Sequence, residues 1–334
     1  MVFSKLVKII LLVVVVLVLA IISYFFAGSA PVAEKITWGV DFSQMQAEAL
    51  KLDWKKTYLA ILEDLGAKHI KLHTQWDFVE GNKGDFYFKD IDWQIAQAQK
   101  HGADIIYVVG MKTGRWPECH IPSWATGLSK QEQQDYILKY IEKVVNRYKN
   151  SNAIKYWQVE NEPFFKFGEC PWYDREFLNK EVALVKSLDF SKPVIISDSG
   201  EQSFWINASK SGDLIGSTLY RKLWFGITDK IGFYVKIPLP SVFYWRRAQL
   251  INYFFDKEVI GVELQAEPWA YKPFFLVSLK EQEKTMNLTQ FRNNLQYAKN
   301  TGFSKFYFWG VEWWFWMKEI QGRPEIWNEA KKMF

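Results

Sequence analysis

The sequence predicts an α/β protein, a (β/α)8 TIM barrel preceded by an N-terminal transmembrane or signal-anchor helix. Three observations favour this fold class. An apolar run opens the chain, short apolar segments then alternate with helical stretches, and no low-complexity linker divides residues 36–334. About 300 residues follow the N-terminal segment, which suits one barrel because such barrels run to about 250 residues or more as a single unit. We therefore predict an anchor over residues 1–30 and one barrel domain over residues 31–334.

The N-terminal segment is apolar without interruption from Ile9 to Phe26. That length spans a bilayer, and the absence of a polar face argues against an amphipathic helix packed on a protein core. Lys5 and Lys8 precede the run and favour the cytoplasmic side, which places the rest of the chain outside. Small residues at 27–30 also suit cleavage, so a single-pass membrane protein and a secreted protein both stay open.

Eight short segments are rich in β-branched and aromatic residues and are predicted as strands: 36–42, 70–76, 104–110, 154–159, 193–197, 214–219, 259–264 and 303–309. Helical stretches at 54–65, 92–101 and 130–149 separate the first four. A doubly wound open sheet would call for a glycine-rich first turn, which residues 39–43 do not supply. The long connection 221–258, rich in Trp, Phe and Pro, is predicted to carry a helix and an excursion over one face.

Composition excludes some partners and predicts a disulfide. The net charge is +5 and the basic residues are dispersed, so we expect no nucleic-acid partner. The two cysteines, Cys119 and Cys170, have no companions at metal-ligand spacing, and we expect no metal site. They follow the third and fourth strands, whose loops are neighbours in a barrel. In an extracytoplasmic protein we therefore predict a Cys119–Cys170 disulfide.

Carboxylates stand at the ends of two predicted strands. The fourth strand ends in Asn161-Glu162-Pro163, and the seventh carries Glu263 at its tip. In a closed eight-stranded ring these strands lie on opposite sides, so both carboxylates face the mouth at the C-terminal end of the barrel. Hydrolysis of a glycosidic bond needs this pair, since one carboxylic acid protonates the leaving oxygen while the other carboxylate attacks the anomeric carbon.

The roles of these carboxylates follow from position. We predict Glu162 as the acid/base; the alternative is a carboxylate at the start of a helix, beside Pro163. Alternation along the seventh strand places Glu263, Gln265 and Glu267 on one face. Glu263 is predicted as the nucleophile, with Glu267 as the alternative; otherwise Glu267, like Gln265, is a candidate for binding the substrate. We expect Glu160 to point away and form a structural salt bridge.

Residues 147–163, ending in Asn161-Glu162-Pro163, resemble the strand-four signature of clan A glycoside hydrolases, and residues 65–92 are similar to the second βα unit of that clan. The closest similarity is to its β-galactosidase and cellulase-like branches. The resemblance spans residues 36–316. It implies a retaining β-glycosidase catalytic domain, with Glu162 as acid/base, Asn161 as a ligand to the substrate 2-hydroxyl, and no cofactor. We expect a carbohydrate substrate and a monomer.

The resemblance also suggests supporting residues. Tyr220 ends the sixth strand, where clan members often place a tyrosine that donates to the nucleophile; the alternative is ordinary aromatic packing. Trp309 ends the eighth strand and resembles the platform on which the cleaved sugar stacks. His73 and Trp76 close the second strand and either reach the pocket or belong to the core. Trp116 lies in an aromatic loop after the third strand and is predicted to contact substrate.

One departure and two alternatives stay open. Lys71 stands where the clan often has an arginine that supports the nucleophile, and a lysine cannot supply the bidentate fork. A catalytically degenerate barrel would instead be a cell-surface carbohydrate-binding protein. A third possibility is an anchored scaffold that uses the aromatic segment 311–317, which more simply edges the groove. The sugar, the linkage, the exact family and the choice of exo or endo action depend on loops such as 221–258.

Overall fold

A computed structural model describes residues 2–227 and 231–334, with the side chains of residues 2–4 left aside. Within this part of the chain, eight parallel strands close into a barrel in which β1 pairs with both β2 and β10, and β6 pairs with β9. The remaining two strands, β7 and β8, form an antiparallel hairpin. The strands are β1 (Thr37–Phe42), β2 (His69–His73), β3 (Asp104–Val109), β4 (Ile154–Val159), β5 (Val194–Asp198), β6 (Leu214–Leu219), β7 (Lys222–Gly226), β8 (Gly232–Lys236), β9 (Val259–Gln265) and β10 (Lys305–Trp309). The predicted fold class is confirmed.

Helices precede the barrel and cover its outside. They are α1 (Val2–Phe26), α2 (Gln44–Ala49), α3 (Trp54–Ala60), α4 (Trp76–Val79), α5 (Lys89–Lys100), α6 (Lys130–Tyr148), α7 (Arg175–Leu188), α8 (Ile206–Ser211), α9 (Ser241–Phe255), α10 (Leu279–Gln282), α11 (Leu288–Lys299), α12 (Val311–Glu319) and α13 (Glu325–Ala330). The longest barrel helix, α6, begins at a capping box in which Ser129 and Glu132 satisfy each other's backbone N–H groups.

One predicted boundary is wrong, and one prediction about a long connection is confirmed. The second strand was expected to run through Trp76, but β2 ends at His73 and Trp76 opens α4. The connection 221–258 does carry the expected helix, α9, and its excursion is the β7–β8 hairpin. The other predicted strands agree with the structure within two residues at each end.

The barrel interior is a small apolar core. Ile106, Ile195, Ile260, Val262 and Tyr307 are buried there as one cluster, and Tyr156 packs against it. A larger cluster lies between the strands and the surrounding helices. Filled interiors of this kind leave the C-terminal strand ends as the place for a site.

Helix α1 is long and apolar enough to cross a membrane, with 22 residues from Lys5 to Phe26 at a mean hydropathy of 3.3. From Lys5 onward its side chains are exposed except near its end. There the Phe25 ring lies 5.8 Å from the ring of Phe204 and 5.6 Å from that of Phe243. The helix therefore projects from the barrel, attached through its last turn.

The aromatic segment 311–317 does not lie on the surface. It forms most of α12, in which Trp313 and Trp314 are fully buried. The Trp314 indole donates to the carbonyl of Ala266, 2.8 Å away. The hypothesis that this segment is an exposed scaffold surface is therefore wrong, and so is the expectation that it edges the groove. The indoles of Trp313 and Trp314 fill the core behind β10.

Candidate active site

A cavity of about 360 Å³ opens at the C-terminal ends of the strands. Glu162 and Glu263 line it together with Asn161, Tyr220 and Trp309. The structure thus brings the two predicted catalytic carboxylates, and three of the predicted binding residues, to one cavity. The other lining residues are Glu118, Phe165, Phe167, Ser199, Glu201, Gln202, Thr218, Leu223, Ile237, Pro238, Leu239 and Trp269.

Glu162 follows β4 in a left-handed backbone conformation, with φ 44°. Such conformations are uncommon outside glycine and persist where surrounding contacts fix them. Here the backbone N–H of Glu162 donates to Ser197 Oγ at 2.8 Å, and the carbonyl accepts from Lys112 Nζ at 3.0 Å. The carboxyl accepts from Thr218 Oγ1 at 3.2 Å. Contacts from three other segments therefore aim this side chain into the cavity.

Glu263 lies near the end of β9 and is 2 % exposed. Its Oε1 is 3.1 Å from Lys71 Nζ, and its Oε2 accepts from the Tyr220 hydroxyl at 2.8 Å. Both neighbours donate to the charged form of the carboxyl. Tyr220 therefore makes the contact that the clan resemblance suggested, and Lys71 supplies one charged hydrogen bond at the position where the clan often has an arginine.

The two carboxyls are shifted in opposite directions. Burial raises the pKa of Glu162 well above its ordinary value, and the negative charge of Glu263 raises it further. Burial alone would also raise the pKa of Glu263, but the Lys71 ammonium and the Tyr220 hydroxyl hold it below its ordinary value. At neutral pH this favours a protonated Glu162 beside an ionised Glu263, the division of roles that acid catalysis with nucleophilic attack requires.

A buried network supports Glu263 from below. Lys71 Nζ also lies 3.2 Å from Asp41 Oδ1, which in turn is 3.0 Å from His73 Nε2. Burial raises the pKa of Asp41 to about 8, and burial beside Lys71 lowers the pKa of His73 to about 3. Because His73 Nδ1 donates to the carbonyl of Thr113, its Nε2 can accept a hydrogen bond from the protonated carboxyl of Asp41. With Asp41 neutral, the Lys71 ammonium pairs with only one anion, the carboxylate of Glu263.

A second buried ion cluster lies beside Trp309. Arg115 bridges Glu267 and Glu312, with Nη2 3.0 Å from Glu312 Oε2, and its guanidinium carbon lies 4.1 Å from the centre of the Trp309 ring. Glu267 therefore forms an ion pair with Arg115, and neither residue lines the cavity. Gly310, with φ 127°, permits this arrangement because a Cβ there would come within 2.5 Å of the Glu267 Cβ.

Two further carboxylates face the cavity that the strand-end argument did not find. Burial raises the pKa of Glu118 to about 7, although nearby Lys112 and a hydrogen bond with Asn161 act against the shift. Glu201 accepts from the Tyr220 backbone N–H at 2.7 Å and from the Tyr244 hydroxyl at 2.9 Å. Both lie in loops, where no strand periodicity points to them.

Five predicted binding residues lie outside the cavity lining, and one of them is Glu267, which pairs with Arg115. Trp76 is fully buried and donates to Glu80 Oε2 at 2.8 Å, as in the core alternative. His73 belongs to the network below Glu263, with its ring 5.5 Å from that of Trp309. Trp116 is 58 % exposed on its loop. The Gln265 side-chain oxygen accepts two backbone N–H groups at the start of the β7–β8 hairpin, so it fixes that loop.

Glu160 does not form the expected salt bridge. Its carboxyl accepts the backbone N–H groups of Met111 at 2.8 Å and Lys112 at 2.6 Å. A Cβ on Gly110 would come within 2.4 Å of Glu160 Oε1, which explains the glycine at the end of β3. Glu160 therefore joins the β3 and β4 loops beneath the site.

The predicted disulfide is present. Cys119 and Cys170 are bridged, with 5.2 Å between their Cα atoms, and they tie the loop after β3 to the loop after β4. The first loop carries Arg115 and Glu118, and the second follows Glu162. Within residues 2–227 and 231–334, no group of three or more histidine, cysteine or carboxylate side chains is placed to hold a metal ion.

Comparison with known proteins gives one family match in the sequence. The model of glycosyl hydrolase family 10 matches residues 52–178, which is less than half of the chain. The matched region runs from the segment before α3 into α7 and includes Asn161 and Glu162. No curated protein matches the chain.

Solved structures share the fold at low sequence identity. The β-galactosidase of the Antarctic haloarchaeon Halorubrum lacusprofundi superimposes with a TM-score of 0.58 at 13 % identity, over 89 % of this chain and 57 % of that one. Xylanase 10B of Thermotoga petrophila, in complex with xylobiose, gives 0.55 at 15 % identity over 92 % and 99 %. The endo-β-1,4-mannanase of Thermotoga petrophila gives 0.56 at 14 % identity over 83 % and 68 %.

The structural matches and the family match support different conclusions. The chain spans little more than half of the galactosidase, and identities of 13–15 % show a common fold. The family match adds sequence similarity to a glycoside hydrolase over the part that contains the Asn161-Glu162-Pro163 motif. The resemblance to (β/α)8-barrel glycoside hydrolases of clan A is thereby confirmed.

Proposed function

We propose that this chain is a retaining β-glycosidase in which Glu162 is the acid/base and Glu263 the nucleophile. The observation that carries the proposal is the opposite pKa shift of two buried carboxyls on one cavity: that of Glu162 is raised and that of Glu263 is lowered. A double displacement needs one proton donor and one carboxylate nucleophile at the same pH. Metal-independent chemistry of this kind uses only groups that line the cavity.

The first step would transfer the Glu162 proton to the glycosidic oxygen while Glu263 bonds to the anomeric carbon. The Glu162 carboxylate would then take a proton from water, whose oxygen displaces Glu263 and releases the sugar. Asn161 suits a role at the 2-hydroxyl, because its Oδ1 is occupied by Gln158 Nε2 at 3.2 Å and Ser197 Oγ at 3.3 Å. Its NH2 group donates one hydrogen to Glu118 and has a second hydrogen to donate to a ligand.

The sugar at the cleaved bond would stack on Trp309, since indole rings pack against the apolar faces of sugars. Two buried groups restrain this ring: the Arg115 guanidinium 4.1 Å from its centre and the His73 imidazole at an edge contact of 5.5 Å. The substrate is accordingly proposed as an oligo- or polysaccharide, or another β-glycoside, bound by one tryptophan platform and four acidic side chains.

The proposed location is outside the cytoplasm. Residues 1–30 would act as a signal anchor, or as a signal peptide if cleaved, and residues 31–334 as the catalytic domain. Support comes from the apolar α1 helix, the two lysines before it and the Cys119–Cys170 bridge, since disulfides persist in oxidising compartments. We further propose that the domain acts as a monomer.

The test is turnover combined with trapping. Purified protein is assayed on aryl β-glucosides, galactosides, mannosides and xylosides and on β-linked polysaccharides. The matching 2-fluoro glycoside is then used to label the nucleophile for peptide mass spectrometry. We expect the label on Glu263, and at least a 10³-fold loss of turnover in Glu263→Gln. Label on Glu267 would assign the nucleophile to the alternative carboxylate.

Two controls separate catalysis from binding. Glu169→Gln changes an exposed loop glutamate close to the site and should retain wild-type turnover. Glu162→Gln should lose turnover of alkyl glycosides while still binding them. Saturable binding of a glycan without turnover of any glycoside by the wild-type protein would contradict the proposal and favour a carbohydrate-binding barrel.

A further inference from the structure

One wall of the catalytic cavity is aliphatic. Leu223, Ile237, Pro238 and Leu239 line it, and all four belong to the connection between β6 and α9. Sugars stack on aromatic rings and bond to polar groups, and the Trp309 side of the cavity offers both. An aliphatic wall has little to offer a hydroxylated ring. It suits a hydrocarbon part of a ligand.

The same wall continues outward along one face of the β7–β8 hairpin. Side chains alternate between faces of a strand, so Phe225 shares the face of Leu223. Its partner Phe233 lies opposite, with 5.7 Å between the ring centres. The two phenyl rings are 59 % and 50 % exposed. An apolar surface therefore extends from Leu223 inside the cavity to the exposed rings of Phe225 and Phe233 on the hairpin.

The opposite face of the hairpin is already occupied. Trp224 packs 5.7 Å from the Tyr271 ring, and the Tyr234 hydroxyl donates to Glu281. Lys284 Nζ lies 5.2 Å from the Tyr234 ring centre. The hairpin is thus held on one side by the segment after β9, which orients its Leu223 and Phe225 face away from that support.

The membrane helix reaches the barrel beside this wall. The last turn of α1 contacts Phe243, which is only four residues after Leu239 of the cavity wall. Phe243 is in the first turn of α9, the helix that the wall segment enters. The point at which α1 would leave a bilayer is thus joined to the aliphatic wall through the start of α9.

We infer that the substrates are β-glycosides of an apolar alcohol, a lipid-linked sugar, with the hydrocarbon chain on the Leu223–Phe225–Phe233 surface and the sugar on Trp309. The inference rests on the proposed glycosidase function. It adds the chemical class of the aglycone and its source, the bilayer that α1 enters. Hydrolysis releases the lipid alcohol, which takes the proton from Glu162, while water supplies the new hydroxyl of the sugar.

The test measures binding separately from turnover. Full-length protein with Glu162→Gln is placed in phosphatidylcholine nanodiscs, and dissociation constants are measured for methyl and n-octyl β-glycosides of glucose, galactose, mannose and xylose. We expect the octyl glycoside of the accepted sugar to bind at least tenfold more tightly than its methyl analogue, the gain from burying about two methylene groups. Phe225→Ser with Phe233→Ser should reduce this ratio at least fivefold.

Phe190→Ser is the matched control. Phe190 is 92 % exposed but lies between α7 and β5, at the other end of the barrel. It should leave the octyl-to-methyl ratio unchanged, which also corrects for partition of the octyl chain into the nanodisc. A ratio near one, an undetectable octyl glycoside complex, or an equal ratio with and without the hairpin phenylalanines would overturn the inference. Turnover of soluble aryl glycosides by the wild type would still uphold the proposed function in those cases. Absence of all turnover would contradict the proposed function, and the inference with it.

Discussion

The Tyr220 hydroxyl lies 2.8 Å from Oε2 of Glu263, while the other oxygen of the same carboxyl faces Lys71 Nζ at 3.1 Å. The two donors come from the end of β6, which is next to β9 in the ring, and from β2, which is three strands away on the other side. A carboxylate held at both oxygens keeps its orientation and its charge. In the proposed mechanism Tyr220 would thus be a positioning residue, and its effect can be separated from simple packing.

Tyr220→Phe removes the hydroxyl and little else. A hydrogen bond to a charged group contributes about 1.5–3 kcal/mol, so kcat/KM should fall roughly 10- to 100-fold. The pKa of Glu263 should rise, because a donor to its charged form is lost. The acidic limb of the kcat/KM–pH profile should therefore move to higher pH. Tyr87→Phe, at an exposed tyrosine that donates to Asp90 at 3.2 Å, is the control. A lower rate with an unmoved acidic limb would mean that Tyr220 acts through packing.

The two limbs of that profile should belong to different carboxyls. The Glu162 pKa is raised and the Glu263 pKa is lowered, so activity should be bell-shaped, falling at low pH as Glu263 protonates and at high pH as Glu162 ionises. On an aryl glycoside with an activated leaving group, Glu162→Gln should abolish the basic limb and keep the acidic one. A basic limb that survives this substitution would assign it to another group.

Glu118 should make stability depend on pH. Its folded-state pKa of about 7 lies above the ordinary value of 4.5, so the folded state holds the proton more tightly. Stability is then lost as pH rises from about 4.5 to about 7, by on the order of 3 kcal/mol at most. Glu118→Gln should thus unfold at higher urea than wild type at pH 8 and at nearly the same urea at pH 4. The exposed neighbour Glu169→Gln should show no such difference between the two pH values. Equal effects of Glu118→Gln at both would contradict a buried, titrating Glu118.

The sequence allowed the strands, and the meeting of Glu162 and Glu263 at one cavity, to be predicted because both depend on local pattern. Runs of β-branched and aromatic residues mark each strand, and counting strands places Glu162 and Glu263 across one ring. The contacts of the Gln265 and Glu267 side chains could not be predicted from strand alternation. Alternation puts them on the face of Glu263, but β9 ends at Gln265, whose amide then binds the hairpin backbone.

The supporting groups were missed for a different reason. Asp41 acts on Glu263 through Lys71, and Arg115 meets Glu267 and Glu312 from 152 and 197 residues away in the chain. Such partners depend on which side chains the closed ring brings together, and a single sequence carries no periodic signal for them. Glu118 and Glu201 lie on loops whose paths are set by a disulfide and by hydrogen bonds to β6.

The Cys119–Cys170 bridge should contribute to stability. It joins residues 51 apart, and loop-closure entropy in the unfolded chain predicts about 4 kcal/mol, of which about 2–4 kcal/mol is typically realised. The double variant Cys119→Ser with Cys170→Ser should lower the free energy of unfolding by that amount. Dithiothreitol should destabilise the wild type to the same level and leave the double variant unchanged. A wild type insensitive to reductant under unfolding conditions would contradict the bridge.

Substitution of Arg115 should lower the free energy of unfolding more than substitution of an exposed arginine. Its removal leaves the buried carboxyls of Glu267 and Glu312 without their cation, and breaking a buried pair in this way costs about 3–5 kcal/mol. Arg115→Met should therefore unfold at much lower urea at pH 8. The loss should be smaller at pH 5, because burial raises the pKa of Glu312 to about 7 and the free acid needs no counter-ion.

Arg292 provides the comparison. It pairs with Glu329 at 2.7 Å, but its side chain is 55 % exposed, so Arg292→Met should cost less than about 1 kcal/mol at either pH. Adding Glu312→Gln to Arg115→Met should recover part of the lost stability at pH 8, since one of the two unpaired charges is gone. If the combined variant were no more stable than Arg115→Met, the cost would come from the lost contact between the guanidinium and the Trp309 ring. Trp309→Phe in the wild-type background would then reproduce much of it.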